Sequence, residues 1–124
     1  MKEIKGHFQE PNKFISESGS MVQVPWNYTS KSRILDGSEM ILRINERGYF
    51  LFKITKPPEI RKHFAKVVSD RGRLVAETVD TKERLLLIDV SVRFYQLQEG
   101  DEIVVSRRAD GTGQYCAIEL VVPQ

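Results

Sequence analysis

The chain has 124 residues, of which 40% are hydrophobic and 29% charged, a composition typical of one globular domain and not of a disordered or fibrous chain. Its formal net charge of +2 is too small to indicate a polyanionic partner by itself. A single cysteine, Cys116, excludes an internal disulfide bond. Cys116 lies in an alternating apolar segment, where a buried side chain is expected.

The sequence contains no motif for catalysis or for a metal. His7 and His63 are far apart in the chain, and HExxH, CxxC and glycine-rich phosphate-binding motifs are all missing. We therefore expect a protein that is not an enzyme, with no catalytic residue, metal or cofactor. The first residues lack the apolar core of a signal peptide, and no run of about 18 apolar residues follows. This pattern predicts a cytoplasmic protein that does not bind a membrane.

The first third of the chain gives a weak structural signal. Residues 1–33 have poor periodicity, and only residues 21–26 have the character of a strand. We expect a single domain over residues 1–124 in which residues 1–33 are irregular or partly ordered.

A β-hairpin is predicted next. Residues 40–44 and 50–54 alternate apolar with other side chains, and the turn between them contains Gly48, which tolerates the positive φ of a tight turn. Beyond it, Ile60, Phe64, Val67 and Val68 have the spacing of one apolar helical stripe. That spacing predicts a short helix over about residues 58–68, with His63 on its solvated side.

Four further strands are predicted over residues 73–79, 84–94, 102–107 and 114–122, separated by polar turns. The continuous apolar run at residues 85–88 indicates a central strand that is covered on both faces. The predicted fold is therefore α+β and mainly β. It is a small barrel-like or strongly curved antiparallel sheet of six to seven strands with one short helix.

The central segment is the most basic part of the chain. Residues 43–73 hold nine basic and three acidic groups, whereas residues 74–124 hold five basic and nine acidic groups. If the hairpin and the helix face the same way, their cations form one strip beside an aromatic ring, as nucleic-acid binding requires. The predicted DNA- or RNA-binding residues are Arg43, Arg47, Tyr49, Lys53, Arg61, Lys62, Lys66 and Arg73.

Two alternatives remain open. The basic centre can meet the acidic last third of a second copy, which would make the chain a protein-interaction or homo-oligomerisation domain, such as a homodimer. A barrel can also enclose a pocket, which would make it a small-ligand-binding protein.

The turn Leu97–Val105, with Glu99-Gly100-Asp101 at its centre, resembles the "GD box" of small β-barrels. Similar boxes occur in swapped-hairpin AbrB-like DNA-binding proteins, in double-psi barrels and in oligonucleotide-binding barrels such as bacterial initiation factor one. In such turns the glycine supplies a positive φ and the aspartate caps neighbouring backbone amides. The resemblance covers residues 84–122 and implies a barrel fold.

Overall fold

A computed structural model describes all 124 residues as a mainly β protein with two short helices. Ten strands form two five-stranded antiparallel sheets, and neither sheet is closed or strongly curled. The mainly β class expected from the sequence is confirmed. The single barrel-like or strongly curved sheet is wrong, because the chain divides its strands equally between two open sheets. Neither helix is long and apolar enough to span a bilayer.

The first sheet is formed by the N-terminal half of the chain. Its strand order is β3-β2-β1-β4-β5, and helix α1 lies between β3 and β4. The elements are β1 (Lys2–Gln9), β2 (Lys13–Ser16), β3 (Met21–Gln23), α1 (Trp26–Lys31), β4 (Glu39–Ile44) and β5 (Phe50–Lys56).

The second sheet is formed by the C-terminal half. Its strand order is β10-β9-β6-β7-β8, and helix α2 lies between β8 and β9. The elements are β6 (Ile60–Asp70), β7 (Arg73–Thr78), β8 (Arg84–Leu86), α2 (Asp89–Phe94), β9 (Glu102–Arg108) and β10 (Ala117–Val121).

The two halves are an internal structural repeat. Each half contains three strands, a helix and two strands in that order, and the first strand of each half is the central strand of its sheet. In the first half β3, α1 and β4 begin at residues 21, 26 and 39; their counterparts begin at residues 84, 89 and 102, a constant separation of 63 residues.

Backbone geometry supports the repeat at the turn before β4 and β9. Arg33 has φ 52° and Gln96, its counterpart, has φ 51°. The amide of Gly37 donates to the Phe8 carbonyl at 2.8 Å, and the amide of Gly100 donates to the carbonyl of Val67 at 2.7 Å. The same unusual conformations and hydrogen bonds therefore recur in both halves.

Each half also buries its own hydrophobic core. In both halves the core lies on one face of the sheet, and partly buried side chains of the helix, Tyr28 in α1 and Val92 in α2, pack against it. The first core contains Phe8, Phe14, Val24, Ile34, Met40, Leu42 and Phe52. The second contains Ala65, Val67, Ala76, Leu85, Leu87, Leu97, Ile103, Val105, Cys116 and Ile118.

The predicted helix over residues 58–68 is wrong, because this segment forms β6, the 11-residue central strand of the second sheet. Its buried side chains are His63, Ala65 and Val67, which alternate with exposed residues as a strand requires. Phe64, which the helical stripe places inside, is 64% exposed.

Two other predicted elements also change. Residues 84–94 form the short strand β8 and then α2 in place of one strand, and β8 lies at the edge of its sheet, not at its centre. Within residues 1–33, where only one strand was expected, the chain forms β1, β2, β3 and α1. The β4–β5 hairpin is confirmed, with Gly48 at φ 82° in its turn.

The GD-box turn has the expected local geometry. Gly100 has φ 96°, and the Asp101 carboxylate accepts a hydrogen bond from the amide of Gln98 at 2.8 Å. The barrel implied by the resemblance does not form, because residues 84–122 contribute to an open sheet.

Candidate nucleic-acid interface

The eight predicted site residues occupy three separate places in the fold. One group lies on the β4–β5 hairpin, a second lies on β6 in the other sheet, and the eighth residue begins β7. The strip that depended on a helix beside the hairpin therefore does not form as predicted. The hairpin group is Arg43, Arg47, Tyr49 and Lys53, the β6 group is Arg61, Lys62 and Lys66, and Arg73 begins β7.

The hairpin group projects from the side of the first sheet opposite its core. On this side Ile41 of β4 lies between Lys5 of β1 and Lys53 of β5, and Arg43 pairs with Leu51 of β5. Alternation along the strands places these side chains on one face. We call this surface, together with the hairpin turn, the hairpin face.

The hairpin turn presents Arg47 and Tyr49 to solvent. The Asn45 side-chain oxygen accepts hydrogen bonds from the amides of Arg47 at 2.9 Å and Tyr49 at 3.0 Å. Such a side-chain bridge fixes the turn conformation. Tyr49 is 69% exposed, so its ring is open to a stacking partner.

Most cations on the hairpin face have no acidic partner. Only Arg43 is paired, through its Nε, which donates to a Glu3 carboxylate oxygen at 3.0 Å. No carboxylate lies within 4.0 Å of the nitrogen of Lys5, Arg47 or Lys53. Lys56 at the end of β5 is also unpaired, although it neighbours Glu39 in the register. Sequence reasoning missed Lys5, since only the sheet pairing brings β1 beside β4. It also missed Lys56, because a register shift between Glu39 and Met40 places Lys56 opposite Glu39 on this face.

The β6 group lies among acidic side chains. Lys62 approaches Glu119 at 3.8 Å, and Lys66 lies opposite Glu102 of β9 and Glu77 of β7 in the register without an ion pair to either. Arg61 lies opposite Arg107 in the register and has no acidic partner. The carboxylates beside Lys62 and Lys66 weaken the field that a phosphate would meet there.

Arg73 lies in a groove that is lined mostly by residues of the second half. Its Nη2 donates to the Leu87 carbonyl at 2.9 Å, and its guanidinium carbon is 5.9 Å from the ring centre of Tyr115. Trp26 and Arg93 line the same groove.

A buried polar cluster lies on the core-facing side of β6, the side that also carries Arg61. His63 is buried, contrary to the solvated position expected from the sequence, and its Nδ1 donates to the Asp80 carboxylate at 2.9 Å. The hydrogen bond from His63 lowers the pKa of Asp80. The buried Arg107 donates to Glu83 at 2.6 Å, and this hydrogen bond lowers the pKa of that carboxyl group.

The single thiol is inert by position. Cys116 is buried as predicted, and burial raises its pKa to about 12, so the reactive thiolate is disfavoured. No three His, Cys, Asp or Glu side chains converge as a group that could hold a metal ion.

Comparison with known protein families and with curated proteins finds no match to this chain.

Proposed function

We propose that this chain is a non-enzymatic binding module that holds single-stranded DNA or RNA on the hairpin face. The observation that carries the proposal is an exposed aromatic ring, Tyr49, beside Arg47 in the turn at one end of a sheet face that carries three unpaired lysines. A single strand offers unstacked bases that can lie on an aromatic side chain, while its phosphates contact Lys and Arg.

Different residues of the hairpin face would contact different parts of the nucleic acid. Arg47 and Lys53, joined by Lys5 and Lys56, contact phosphates, because none of these cations has a carboxylate oxygen within 4.0 Å. Tyr49 stacks on a base, which contributes roughly 1–3 kcal/mol. Arg43 stays paired with Glu3 and contributes less. For a longer strand, contact with Arg61, Lys62 and Lys66 on the second sheet remains a prediction.

The proposal is tested by fluorescence anisotropy with labelled 12-nucleotide single strands of DNA and RNA and with a duplex. Tyr49→Ala should weaken single-strand binding about tenfold, since one stacked base is lost. The single variants Arg47→Gln and Lys53→Gln should each weaken it as well, and Lys82→Gln, on the β7–β8 loop of the other half, removes the same charge and is the matched control. Equal loss with Lys82→Gln, or no binding by the wild type, would contradict the proposal.

A second candidate is a homo-oligomerisation domain, which an exposed apolar row on the second sheet favours. Phe64, Val104 and Leu120 are in register across β6, β9 and β10; Phe64 is 64% and Leu120 52% exposed. Large exposed apolar side chains in contact with one another mark interaction surfaces. The basic and acidic side chains beside the row, Lys62, Lys66 and Glu102, would suit a second copy of the chain.

Sedimentation velocity over a range of protein concentrations tests this candidate. A dimer held by the apolar row should dissociate in Phe64→Ala, while Phe94→Ala, which removes an exposed ring from α2, should leave it intact. A wild-type protein that sediments as a monomer at every concentration rules the candidate out.

A further inference from the structure

A groove of about 670 Å³ lies between the β6–β7 turn and α2, with the start of α1 at its rim. Its volume falls within the roughly 300–1,000 Å³ that is usual for small-molecule sites. Trp26 belongs to the first half of the chain, whereas Arg73, Arg93 and Tyr115 belong to the second. The groove therefore lies where the two halves meet.

Two arginines of the groove keep most of their hydrogen-bond donors free. A guanidinium group has five N–H donors, and Arg73 uses one nitrogen to donate to the Leu87 carbonyl. Arg93 makes no side-chain hydrogen bond within the protein and is exposed. No carboxylate lies within 4.0 Å of either guanidinium group. Asp89 is the one acid in the lining, so the groove favours an anion.

The groove also offers flat and apolar surfaces beside these cations. Trp26 is 41% exposed at the rim, and Tyr115 is half-buried under the Arg73 guanidinium group. Leu74 and Ile88 provide apolar lining. A planar ring can stack on such surfaces, and it gains additional attraction from a neighbouring guanidinium group.

A comparison of the two halves indicates that the structural role of Arg73 does not need an arginine. Val24 in the first half is the counterpart of Leu87, and its carbonyl accepts a hydrogen bond from the Asn12 side chain at 3.3 Å. Asn12 is 2% exposed and Arg73 is exposed. A short buried amide is enough to satisfy this carbonyl, so the structural role does not require the charge and remaining donors of Arg73.

We infer that the groove is a binding site for a planar base that carries a phosphate group. The phosphate lies between Arg73 and Arg93, and the base stacks on Trp26 or Tyr115. The ligand is a nucleoside 5′-phosphate, either free or as the 5′ end of a nucleic-acid strand. This site is separate from the hairpin face and does not depend on it.

The chain has one tryptophan, so its fluorescence reports directly on the groove through Trp26. Titration with adenosine 5′-monophosphate should quench this fluorescence, whereas adenosine and inorganic phosphate alone should bind at least tenfold more weakly. A trinucleotide with a 5′-phosphate is compared with the same trinucleotide ending in a 5′-hydroxyl. Binding of the monophosphate alone assigns the groove to a free nucleotide, and additional binding of the phosphorylated trinucleotide assigns it to a strand end; both results support the inference.

Variants test the role of the two arginines. Arg93→Gln should weaken the monophosphate at least tenfold and leave the fold intact, because Arg93 makes no hydrogen bond within the protein. Arg73→Lys should also weaken it, since lysine keeps the charge but loses the planar set of donors. Lys82→Gln, on the exposed β7–β8 loop, is the control and should bind normally. No quenching by the monophosphate, quenching equal to that by adenosine, or full affinity in Arg93→Gln would overturn the inference.

Discussion

His63 and Arg107 are the only basic side chains in the buried interior, and one short loop supplies a carboxylate to each. Burial of an uncompensated charge is costly, so Asp80 and Glu83 allow both bases to be placed under the β7–β8 loop. Arg107 Nε has no hydrogen-bond partner, so part of the desolvation cost of burying this guanidinium group is not offset. The cluster stabilises the loop against the second sheet.

Stability should depend on Asp80 with a defined pH profile. In the folded state its pKa lies below the ordinary value of 3.8, so the folded protein binds fewer protons at this site than the unfolded chain. Its contribution is therefore complete above about pH 4 and is lost as the pH falls through the lowered pKa. Asp80→Asn should be less stable than wild type at pH 7, and the difference should shrink in strong acid.

Urea unfolding of both proteins from pH 7 to pH 2 checks this expectation, with Glu46→Gln in the exposed hairpin turn as the control. Glu83 has a lowered pKa as well, so its loss in acid affects both proteins alike and cancels in the comparison. Equal stability of Asp80→Asn and wild type at pH 7, or a difference that persists in acid, would contradict the role of the pair.

Sequence patterns predict the exposed hairpin residues but not this cluster. Arg43, Tyr49 and Lys53 follow from the alternation of a single hairpin, a local signal. The positions of His63 and Arg107 depend on strand pairing and on a loop distant in sequence. Basic side chains are usually exposed, so composition points away from the observed burial.

The sequence of β6 shows why a strand can be mistaken for a helix. Ile60, Phe64 and Val68 are spaced by four residues, and this spacing keeps side chains on one face in a helix and also in a strand. The residues that point to the core are His63, Ala65 and Val67, of which only the last is strongly apolar. The strand alternation is therefore hard to recognise in the sequence, because two of the three core-facing side chains are not strongly apolar.

Matched truncations distinguish the strand from the helix. Val67→Ala should destabilise the protein by about 2 kcal/mol, because Val67 is fully buried in the second core. Phe64→Ala should cost at most about 0.5 kcal/mol, since its side chain is largely exposed. A helical stripe would bury both residues. Denaturant unfolding measures the two losses, and similar large losses would contradict the strand.

Helix α2 shows the opposite ambiguity. Ile88, Val90, Val92 and Phe94 alternate as in a strand, yet residues 89–94 form a helix in which Ser91 is buried and Phe94 is 75% exposed. Six residues make fewer than two turns, too short a length for a helical period to stand out. The β4–β5 hairpin was predictable because its strands and turn are consecutive in the chain.

The whole molecule is a repeat of two halves that have separate cores, and the contacts between the halves are largely polar. Two backbone amides, of Gln114 and Tyr115, donate to the Glu10 carboxylate, and Arg108 donates to the Asp36 carbonyl at 2.8 Å. These hydrogen bonds connect the two halves.

The internal repeat is hard to detect in the amino-acid sequence. Over residues 22–44 and 85–107 only two aligned pairs are identical, one of glycine and one of glutamate. Burial and turn geometry can be conserved with different apolar side chains.

The net positive charge of the molecule lies in the first of the two halves. Residues 1–58 hold nine basic and six acidic groups, whereas residues 59–124 hold ten basic and eleven acidic groups. The half that contains the hairpin face is therefore the positive one. An anionic strand should approach that half, since long-range attraction follows the distribution of charge.

Salt dependence of binding is the most direct test of the proposed hairpin face. The association constant of a labelled single strand is measured at several salt concentrations. The hairpin face has four unpaired cations, Lys5, Arg47, Lys53 and Lys56. Their phosphate contacts predict a slope of roughly −3 for the logarithm of the constant against the logarithm of salt concentration. Binding that is absent, or that does not change with salt, would contradict the account.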